Sequence, residues 1–224
     1  MIDWQPLLLT FKLAAITTLL LFIIGLPLAY WLAFTKSKLK PVAETLVSMP
    51  LVLPPTVIGF YLLVAFSPSN AFGNWLNTWF GVKLVFSFEG LLIASIIYSL
   101  PFMVHPLQSG LSNLPKSLRE ISYILGKSKT TTLFKVLLPN IKPSLITGIV
   151  LAFAHTIGEF GVVLMIGGNI PGKTKVASIA IYDEVEALNY DVANMYSILL
   201  FIISFTILLL VYLFNKGFIK QFHK

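Results

Sequence analysis

The chain has 224 residues, of which 57% are hydrophobic and only 11% are charged, and its mean hydropathy is +0.87. Soluble proteins carry about 25% charged residues, so this composition excludes an ordinary water-soluble domain, a disordered chain and a protein whose main role is nucleic-acid binding. The chain contains no cysteine, which excludes disulfides, thiolate zinc sites and cysteine catalysis. The net charge is +7, and the positions of the basic residues predict the topology.

Five stretches have the length and apolar character of membrane spans. A helix needs about 20 apolar residues to cross the hydrocarbon core. Residues 1–10 lack the basic residues of a signal peptide, so the first stretch is not expected to be cleaved. The pattern predicts an all-α polytopic membrane protein with one transmembrane domain over residues 1–224. Its five predicted spans are residues 13–34, 46–66, 90–111, 144–167 and 195–215.

Basic residues are concentrated in alternate loops. Twelve of the 16 Lys and Arg residues lie after the first span, between the third and fourth spans, or in the C-terminal tail. Cytoplasmic loops are enriched in Lys and Arg, so the N-terminus is predicted outside and the C-terminus inside. The outer loops carry most of the acidic residues, and Ala177–Glu186 is predicted to form a short amphipathic helix there.

The inner loop 113–142 is predicted to contain two short helices. Leu118, Ile121, Ser122 and Leu125 recur at helical spacing and are expected to share one face. Gly126 is expected to end the first helix in a left-handed conformation. The second helix is expected from about Lys129 to Leu138.

The spacing within this loop resembles the EAA loop of ABC importer permeases. That pattern has Glu-Ala-Ala, then Gly, then a hydrophobic residue followed by x-Leu-Pro. In this chain Ile121 and Ser122 replace the two alanines. The resemblance implies that this loop is the coupling element that docks on an ATPase subunit. The matching residues are Glu120, Ile121, Ser122, Gly126, Leu138 and Pro139.

Two further motifs resemble molybdate-type permeases of the same class. They are Gly-Glu-Phe-Gly at 158–161 and Gly-Asn-Ile-Pro-Gly-Lys-Thr at 168–174. Segments 25–30 and 53–60 resemble the same family, so that the likeness covers nearly the whole chain. This chain departs from the family at His155, where arginine is usual. A histidine supplies a positive charge there only when it is protonated.

The resemblance implies the permease fold of a type I ABC importer and a subunit without catalysis of its own. It implies a homodimer in a prokaryotic inner membrane, with two ATPase subunits and an extracytoplasmic molybdate-binding protein. ATP would bind to the partner subunit, and no cofactor or nucleic acid is expected on this chain. The transported ion would be molybdate or a similar tetrahedral oxyanion, with tungstate and sulfate as the alternatives.

Two positions within the predicted spans are candidates for a pathway or gate. Glu159 is a charge inside a span, which is expensive in a membrane and is therefore a functional candidate. Gly158 and Gly161 flank it and allow close helix packing. Pro54 and Pro55 lack the backbone N–H groups that a helix needs, and this predicts a broken helix. Broken helices often line the pathways of transporters. A proton-coupled secondary transporter using Glu159 is a further alternative.

The outer segment 167–174 also matches the nucleotide-binding pattern G-x-x-x-x-G-K-[ST] letter for letter. A phosphate-binding loop must follow a strand and begin a helix, whereas this segment follows a predicted membrane span. We therefore interpret it as an ordered outer turn that docks the binding protein. The residues assigned to that docking loop are Asn169, Pro171, Gly172 and Lys173.

Overall fold

The computed structural model describes residues 3–219, with the side chains of residues 3–213. The described residues form helices and no strand. A π-helical turn, Leu133–Leu137, joins α7 to α8. The helices in chain order are α1 Gln5–Phe34, α2 Lys40–Val52, α3 Pro55–Phe66, α4 Ala71–Phe80, α5 Phe88–Ser112, α6 Lys116–Ile124, α7 Lys129–Thr132, α8 Leu138–Asn140, α9 Lys142–Ile157, α10 Gly161–Gly167, α11 Ala177–Glu186 and α12 Tyr190–Ile219.

Three helices are each long and apolar enough to cross a membrane, namely α1, α5 and α12. They contain the predicted spans 13–34, 90–111 and 195–215. Two further pairs of helices pass the same test when each bent pair is taken as one span, which brings the number for the described residues to five. The basic tail residues Lys220 and Lys224 lie outside the described residues.

The predicted second span, 46–66, is not one continuous helix. It lies in α2 and α3, whose axes meet at 112°. Pro54 and Pro55 lack backbone N–H groups and so cannot continue a helix. The Pro54 carbonyl instead accepts hydrogen bonds from the amides of Val57 and Ile58 at 3.0 and 3.3 Å, which starts α3.

The predicted fourth span, 144–167, is interrupted as well. α9 ends at Ile157 and α10 begins at Gly161, so three residues separate the two helices. At its inner end, α9 turns by 84° from the helical segment Lys129–Asn140. Pro143 lies in the first turn of α9, where its missing N–H group costs no helical hydrogen bond.

The centre of the fold is built by α1, α5 and α9. Their contact faces include fully buried leucines such as Leu21 and Leu107. A Cβ on Gly148 of α9 would lie 3.1 Å from the Met103 carbonyl oxygen of α5, so glycine allows these two helices to approach closely.

α12 lies at the periphery and leaves large apolar side chains such as Phe201 exposed, as expected for a surface that faces lipid or another subunit.

Helix α4 was not predicted from the sequence. It lies in the loop between the second and third predicted spans and ends at Gly81, whose φ is +64°. Its aromatic residues pack on one another, with the Trp75 and Phe80 ring centroids 5.3 Å apart. Because it is only 10 residues long, the length rule that identifies membrane spans does not detect it.

The predicted orientation can be tested with single cysteines, since the chain has none of its own. Asn74 in α4 and Lys127 after α6 are both exposed. We expect an impermeant maleimide to label Asn74→Cys in intact cells and Lys127→Cys only after permeabilisation. Equal labelling of both variants in detergent is the control, and labelling of both from outside intact cells would contradict this topology.

Candidate functional site

Glu159 lies in the break between α9 and α10 and is buried, with 5% of its surface exposed. Its Oε2 accepts a hydrogen bond from the Ser95 hydroxyl of α5 at 3.4 Å, whereas Oε1 has no partner among the described residues. The Glu159 backbone carbonyl accepts a hydrogen bond from the Ser178 hydroxyl of α11 at 2.6 Å. Glu159 therefore joins the break to both α5 and the outer helix α11.

The two broken spans pack against each other at glycines. A Cβ on Gly161 would lie 2.7 Å from the Cβ of Pro55, and a Cβ on Gly59 would lie 2.7 Å from the Cβ of Met165. Real Cβ atoms do not approach so closely, so α3 and α10 can meet only because glycine occupies both positions. The structure thus brings Gly161 and Pro55 together, and it adds Gly59.

Gly158 and Pro54 have different surroundings. The nearest atom to a Cβ on Gly158 would be 3.8 Å away, and the φ of this residue is −84°. The structure therefore shows no steric need for glycine at that position. Pro54 caps α3 through its carbonyl.

A cluster of hydroxyls between α5 and α9 was missed from the sequence. The Ser99 hydroxyl lies 2.9 Å from Nδ1 of His155 and 3.1 Å from the Thr156 hydroxyl. Ser95 and Ser99 are both fully buried and stand one helical turn apart. Two serines at this spacing in an uncharged predicted span were the available sequence signal for a polar contact.

The predicted left-handed turn at Gly126 is present, with φ of +72°. The Lys127 amide donates to the Ser122 carbonyl at 3.1 Å, and the Gly126 amide donates to the Tyr123 carbonyl at 2.9 Å. These two hydrogen bonds form a Schellman motif, which satisfies carbonyls at the end of α6. The turn sets the direction in which the chain leaves α6 toward α7.

The helical face shared by Leu118, Ile121, Ser122 and Leu125 is covered in part and exposed in part. Ser122 is 4% exposed and its hydroxyl lies 2.8 Å from the Thr132 hydroxyl, which holds α6 against α7. Ile121 and Leu125, in contrast, are 54% and 68% exposed. The Ser122–Thr132 contact determines which side of α6 lies against α7. The spacing of apolar residues alone could not show which side would be covered.

The exposed face of α6 is apolar and carries one acidic residue. Ile124 is 83% exposed beside the exposed Ile121 and Leu125, and Glu120 is exposed as well. An exposed apolar surface rimmed by polar residues indicates a contact with another protein.

Helix α6 is held on the inner end of α1. The Arg119 guanidinium lies over the Phe34 ring, 4.3 Å from its centroid. The hydroxyls of Tyr30 and Tyr123 are 3.4 Å apart. A force applied to α6 would therefore reach the central helix of the fold directly.

The predicted second helix of the inner loop spans Lys129–Asn140 and includes the π-helical turn. In that turn the Leu138 amide donates to the Leu133 carbonyl, five residues earlier. Leu138 and Pro139 lie in its last turn, immediately before the bend into α9. Their position is thus the joint between the inner loop and the fourth span.

The outer loop after α10 is fixed to α11. The Asn169 side-chain amide donates to both carboxylate oxygens of Asp183, at 2.9 and 3.0 Å, and Lys175 Nζ lies 2.5 Å from Asp183 Oδ2. The buried Thr174 hydroxyl donates to the Gly167 carbonyl at 2.7 Å and accepts from the Ile170 amide at 2.9 Å. The loop is therefore an ordered turn, as the sequence predicted.

The tip of this loop is exposed. It consists of Pro171, Gly172 and Lys173, and the φ of Gly172 is +72°. The loop follows α10 rather than a strand, and residues 3–219 include no strand at all. The match to the nucleotide-binding pattern thus lacks the strand that such a site requires.

A protein-family model agrees with this architecture. The model described as "Binding-protein-dependent transport system inner membrane component" matches residues 25–223. The chain belongs to this family. It is a multi-pass membrane protein with the all-helical permease fold.

Individual relatives cover almost the whole chain. The molybdenum transport system permease protein ModB of Azotobacter vinelandii is 45% identical over 94% of this chain and 93% of its own length. The probable sulfate transport system permease protein cysT of Marchantia polymorpha is 35% identical over 96% of this chain and 74% of its own length.

A similar fold is found in a solved bacterial ABC transporter involved in the import of the acidic polysaccharide alginate. The TM-score is 0.80 at 18% sequence identity, with 95% of this chain and 78% of that chain covered. At this identity the likeness concerns the fold alone.

Asp183 is expected to determine the order of the outer loop, because it bonds to both Asn169 and Lys175. Charged hydrogen bonds contribute roughly 1.5–3 kcal/mol, so Asp183→Ala should speed amide exchange at residues 168–175 by at least about tenfold. Hydrogen exchange of the detergent-solubilised protein measures this. Glu186→Ala on the same helix is the matched control, and equal exchange in both variants would contradict the role of Asp183.

Proposed function

We propose that this chain is the membrane-spanning subunit of an ABC importer that carries molybdate into the cytoplasm. The observation that supports this most is the 45% identity to a molybdenum transport permease over 94% of the chain. The sulfate permease relative is 35% identical, so sulfate is the weaker alternative. Tungstate, which has the same shape and charge as molybdate, remains an alternative substrate of the same machine.

We propose that the working unit is a homodimer in a prokaryotic inner membrane, with two ATPase subunits inside and a molybdate-binding protein outside. A solved alginate transporter of similar fold was captured with its substrate-bound periplasmic protein. The exposed apolar side chains of α3 and α12 leave surface for a second copy and for lipid. In this proposal ATP binds to the ATPase subunits, and this chain carries no cofactor and meets no nucleic acid.

The exposed face of α6 is the proposed contact with the ATPase. Ile121, Ile124 and Leu125 supply apolar area, and Glu120 supplies a charge that a basic partner can meet. The Ser122–Thr132 contact and the Gly126 turn keep the two inner helices at a fixed angle. A rigid unit transmits the closing of the ATPase dimer to α1, where a flexible loop would absorb it.

The break at Glu159 is the proposed gate region. Its carboxyl group is an unsuitable ligand for an oxyanion, since like charges repel. Its hydrogen bonds to Ser95 and Ser178 suit a role in holding α5, the break and α11 together. Gly161 and Pro55 hold the neighbouring broken span in contact with this region.

The outer loop is the proposed docking surface for the binding protein. Pro171, Gly172 and Lys173 are exposed at its tip, and Asn169 anchors its base to α11. Because α11 also holds the Glu159 carbonyl through Ser178, docking on this loop is mechanically connected to the break in the fourth span.

Competition between anions tests the substrate. Molybdate and tungstate are tetrahedral dianions of nearly equal size, whereas phosphate is partly protonated at neutral pH. We expect excess tungstate to abolish molybdate uptake by the assembled transporter and phosphate to have little effect. Uptake by vesicles that contain no ATPase subunit is the control. Strong competition by sulfate with none by tungstate would move the assignment to sulfate, and uptake without the ATPase would support a secondary transporter.

Gly126→Val tests the coupling loop. The φ of Gly126 is +72°, and a left-handed conformation costs a non-glycine residue roughly 1–2 kcal/mol. A Cβ there meets nothing within 4 Å, so the effect should come from the turn alone. We expect normal membrane abundance, reduced co-purification of the ATPase subunit and loss of hydrolysis stimulated by the loaded binding protein. Glu120→Lys should give the same result through charge.

The matched control for Gly126→Val is Gly81→Val. Gly81 has a φ of +64°, likewise has no atom within 4 Å of an added Cβ, and lies at the end of α4 in a predicted outer loop. The Gly81→Val variant should therefore retain the ATP hydrolysis that the loaded binding protein stimulates. Full stimulation in Gly126→Val and Glu120→Lys would show that this loop does not couple the two subunits.

A further inference from the structure

A cavity of about 240 Å³ lies where the ends of α1 and α5 meet the start of α6, on the predicted inner side. Three of the residues that line it are basic: Lys36, which follows α1, and Lys116 and Arg119 of α6. None of the described residues in its lining is an Asp or a Glu. This site, the basic cavity, thus gathers positive charge from two segments that are far apart in the sequence.

The three basic side chains of the cavity have no acidic partner. Within residues 3–213, no salt bridge joins Lys36, Lys116 or Arg119 to a carboxylate. Like charges repel, so their grouping at one cavity is unfavourable until an anion binds there.

The Arg119 side chain is held in position to bind an anion. Its guanidinium lies over the Phe34 ring, 4.3 Å from the ring centroid. This contact uses the face of the guanidinium, whereas its N–H donors lie in the plane of the group. No residue within 3–213 accepts a hydrogen bond from these donors. The planar donors are thus available to two oxygens of a phosphate.

Two hydroxyl groups and several apolar side chains complete the basic cavity. Thr35 Oγ1 accepts a hydrogen bond from the Ser37 amide at 3.2 Å, so that its own proton is available to a ligand. Ser112 at the end of α5 supplies the second hydroxyl. Apolar side chains in the lining include Phe34, Leu114 and Leu137. The cavity therefore suits a ligand whose anionic group is attached to an apolar part.

The position of Trp31 indicates that this cavity lies at the level of lipid head groups. Trp31 is 40% exposed, and its carbonyl accepts a hydrogen bond from the Thr35 amide at 2.8 Å, one helical turn further on. Tryptophan is enriched at the membrane–water interface. Long basic side chains near the end of a span reach toward the same interface.

We propose that the basic cavity binds the phosphate group of an anionic phospholipid in the predicted inner leaflet. Lys36, Lys116 and Arg119 bind the phosphate oxygens, and the acyl chains run beside α1 into the hydrocarbon core. Basic pockets between transmembrane helices on the cytoplasmic side bind lipid head groups in this way. A zwitterionic lipid has the same phosphate but adds a quaternary ammonium, which the three basic residues repel.

The bound lipid joins α6 to α1 without covering the proposed ATPase contact. Lys116, Arg119 and Tyr123 recur at helical spacing and share the face of α6 that lies toward α1. Ile121 and Ile124 lie on the exposed face. An anionic lipid therefore strengthens the connection through which α6 moves α1. This effect on coupling rests on the proposed function, whereas the binding of the lipid does not.

The test measures which lipid lies next to Trp31. The chain has four tryptophans, so a parent variant with Trp4, Trp75 and Trp79 replaced by Phe keeps Trp31 as its single reporter. The full chain is reconstituted into vesicles that mix phosphatidylglycerol with phosphatidylcholine, and one of the two lipids carries brominated acyl chains. Bromine quenches a nearby tryptophan, so the fluorescence gives the relative affinity of the two lipids at this position.

Four substitutions in this parent test the cavity. Lys36→Gln, Lys116→Gln and Arg119→Gln each remove one charge from the lining. Lys38→Gln is the matched control, because Lys38 is exposed in the same loop but does not line the cavity. A basic residue next to anionic lipid contributes about fivefold in affinity. We expect the parent to prefer phosphatidylglycerol by at least about tenfold, each cavity variant to lose about fivefold, and Lys38→Gln to change little.

Three outcomes of this measurement would overturn the lipid site. They are equal affinity for the two lipids in the parent, an equal loss in Lys38→Gln, and loss of the preference when inorganic phosphate is added to both sides at constant ionic strength. The last result would assign the cavity to a free phosphate. A parent without lipid preference, whose cavity variants co-purify less ATPase subunit from phosphatidylcholine vesicles, would assign the cavity to an acidic surface of the ATPase instead.

ATP hydrolysis separates this inference from the proposed function. We expect phosphatidylglycerol to raise the hydrolysis that the loaded binding protein stimulates in the assembled transporter, and to raise it less in Arg119→Gln. Equal stimulation in vesicles with and without phosphatidylglycerol would overturn the effect on coupling. Absence of stimulated hydrolysis in both kinds of vesicle would overturn the proposed import, while the quenching of Trp31 would still decide the lipid site.

Discussion

Backbone amides and carbonyls inside the hydrocarbon core must find partners within the protein, and this requirement governs where the fold can be irregular. The chain breaks two of its apolar segments, at Leu53–Pro54 and at 158–160. The carbonyls at these breaks have partners within the protein. The Pro54 carbonyl accepts hydrogen bonds from two amides of α3, and the Glu159 carbonyl accepts one from the Ser178 hydroxyl of α11. The segments that follow these breaks, α3 and α10, also pack on each other through glycines.

This arrangement links the two membrane faces through a small number of contacts. On the predicted outer side, Asp183 fixes the loop after α10 to α11, and Ser178 fixes α11 to the break. On the predicted inner side, Arg119 and Tyr123 hold α6 against the end of α1. α1, α5 and α9 form the buried centre between them. The irregular segments thus connect the two sides, and the regular helices form the centre between them.

Much of the fold was predictable because each element depended on a local rule. Apolar length identified α1, α5 and α12, and Gly126 was recognised because a left-handed helix end favours glycine. Ala177–Glu186 has the predicted bounds. Contacts between distant residues were not predictable in this way: Ser122 with Thr132, Ser95 with Glu159, and Ser99 with His155 pair residues whose separation in the chain carries no signal.

The sequence by itself determined the class of the protein, because apolar length, basic loops and short motifs are read from neighbouring residues. It indicated a helical membrane permease with an inner coupling loop, and it located the break at Pro54 but not the one at Glu159. Only the tertiary structure decided how sharply the second span bends, at 112°, and which face of α6 is covered. Those properties depend on partners supplied by other helices, and packing alone brings these together.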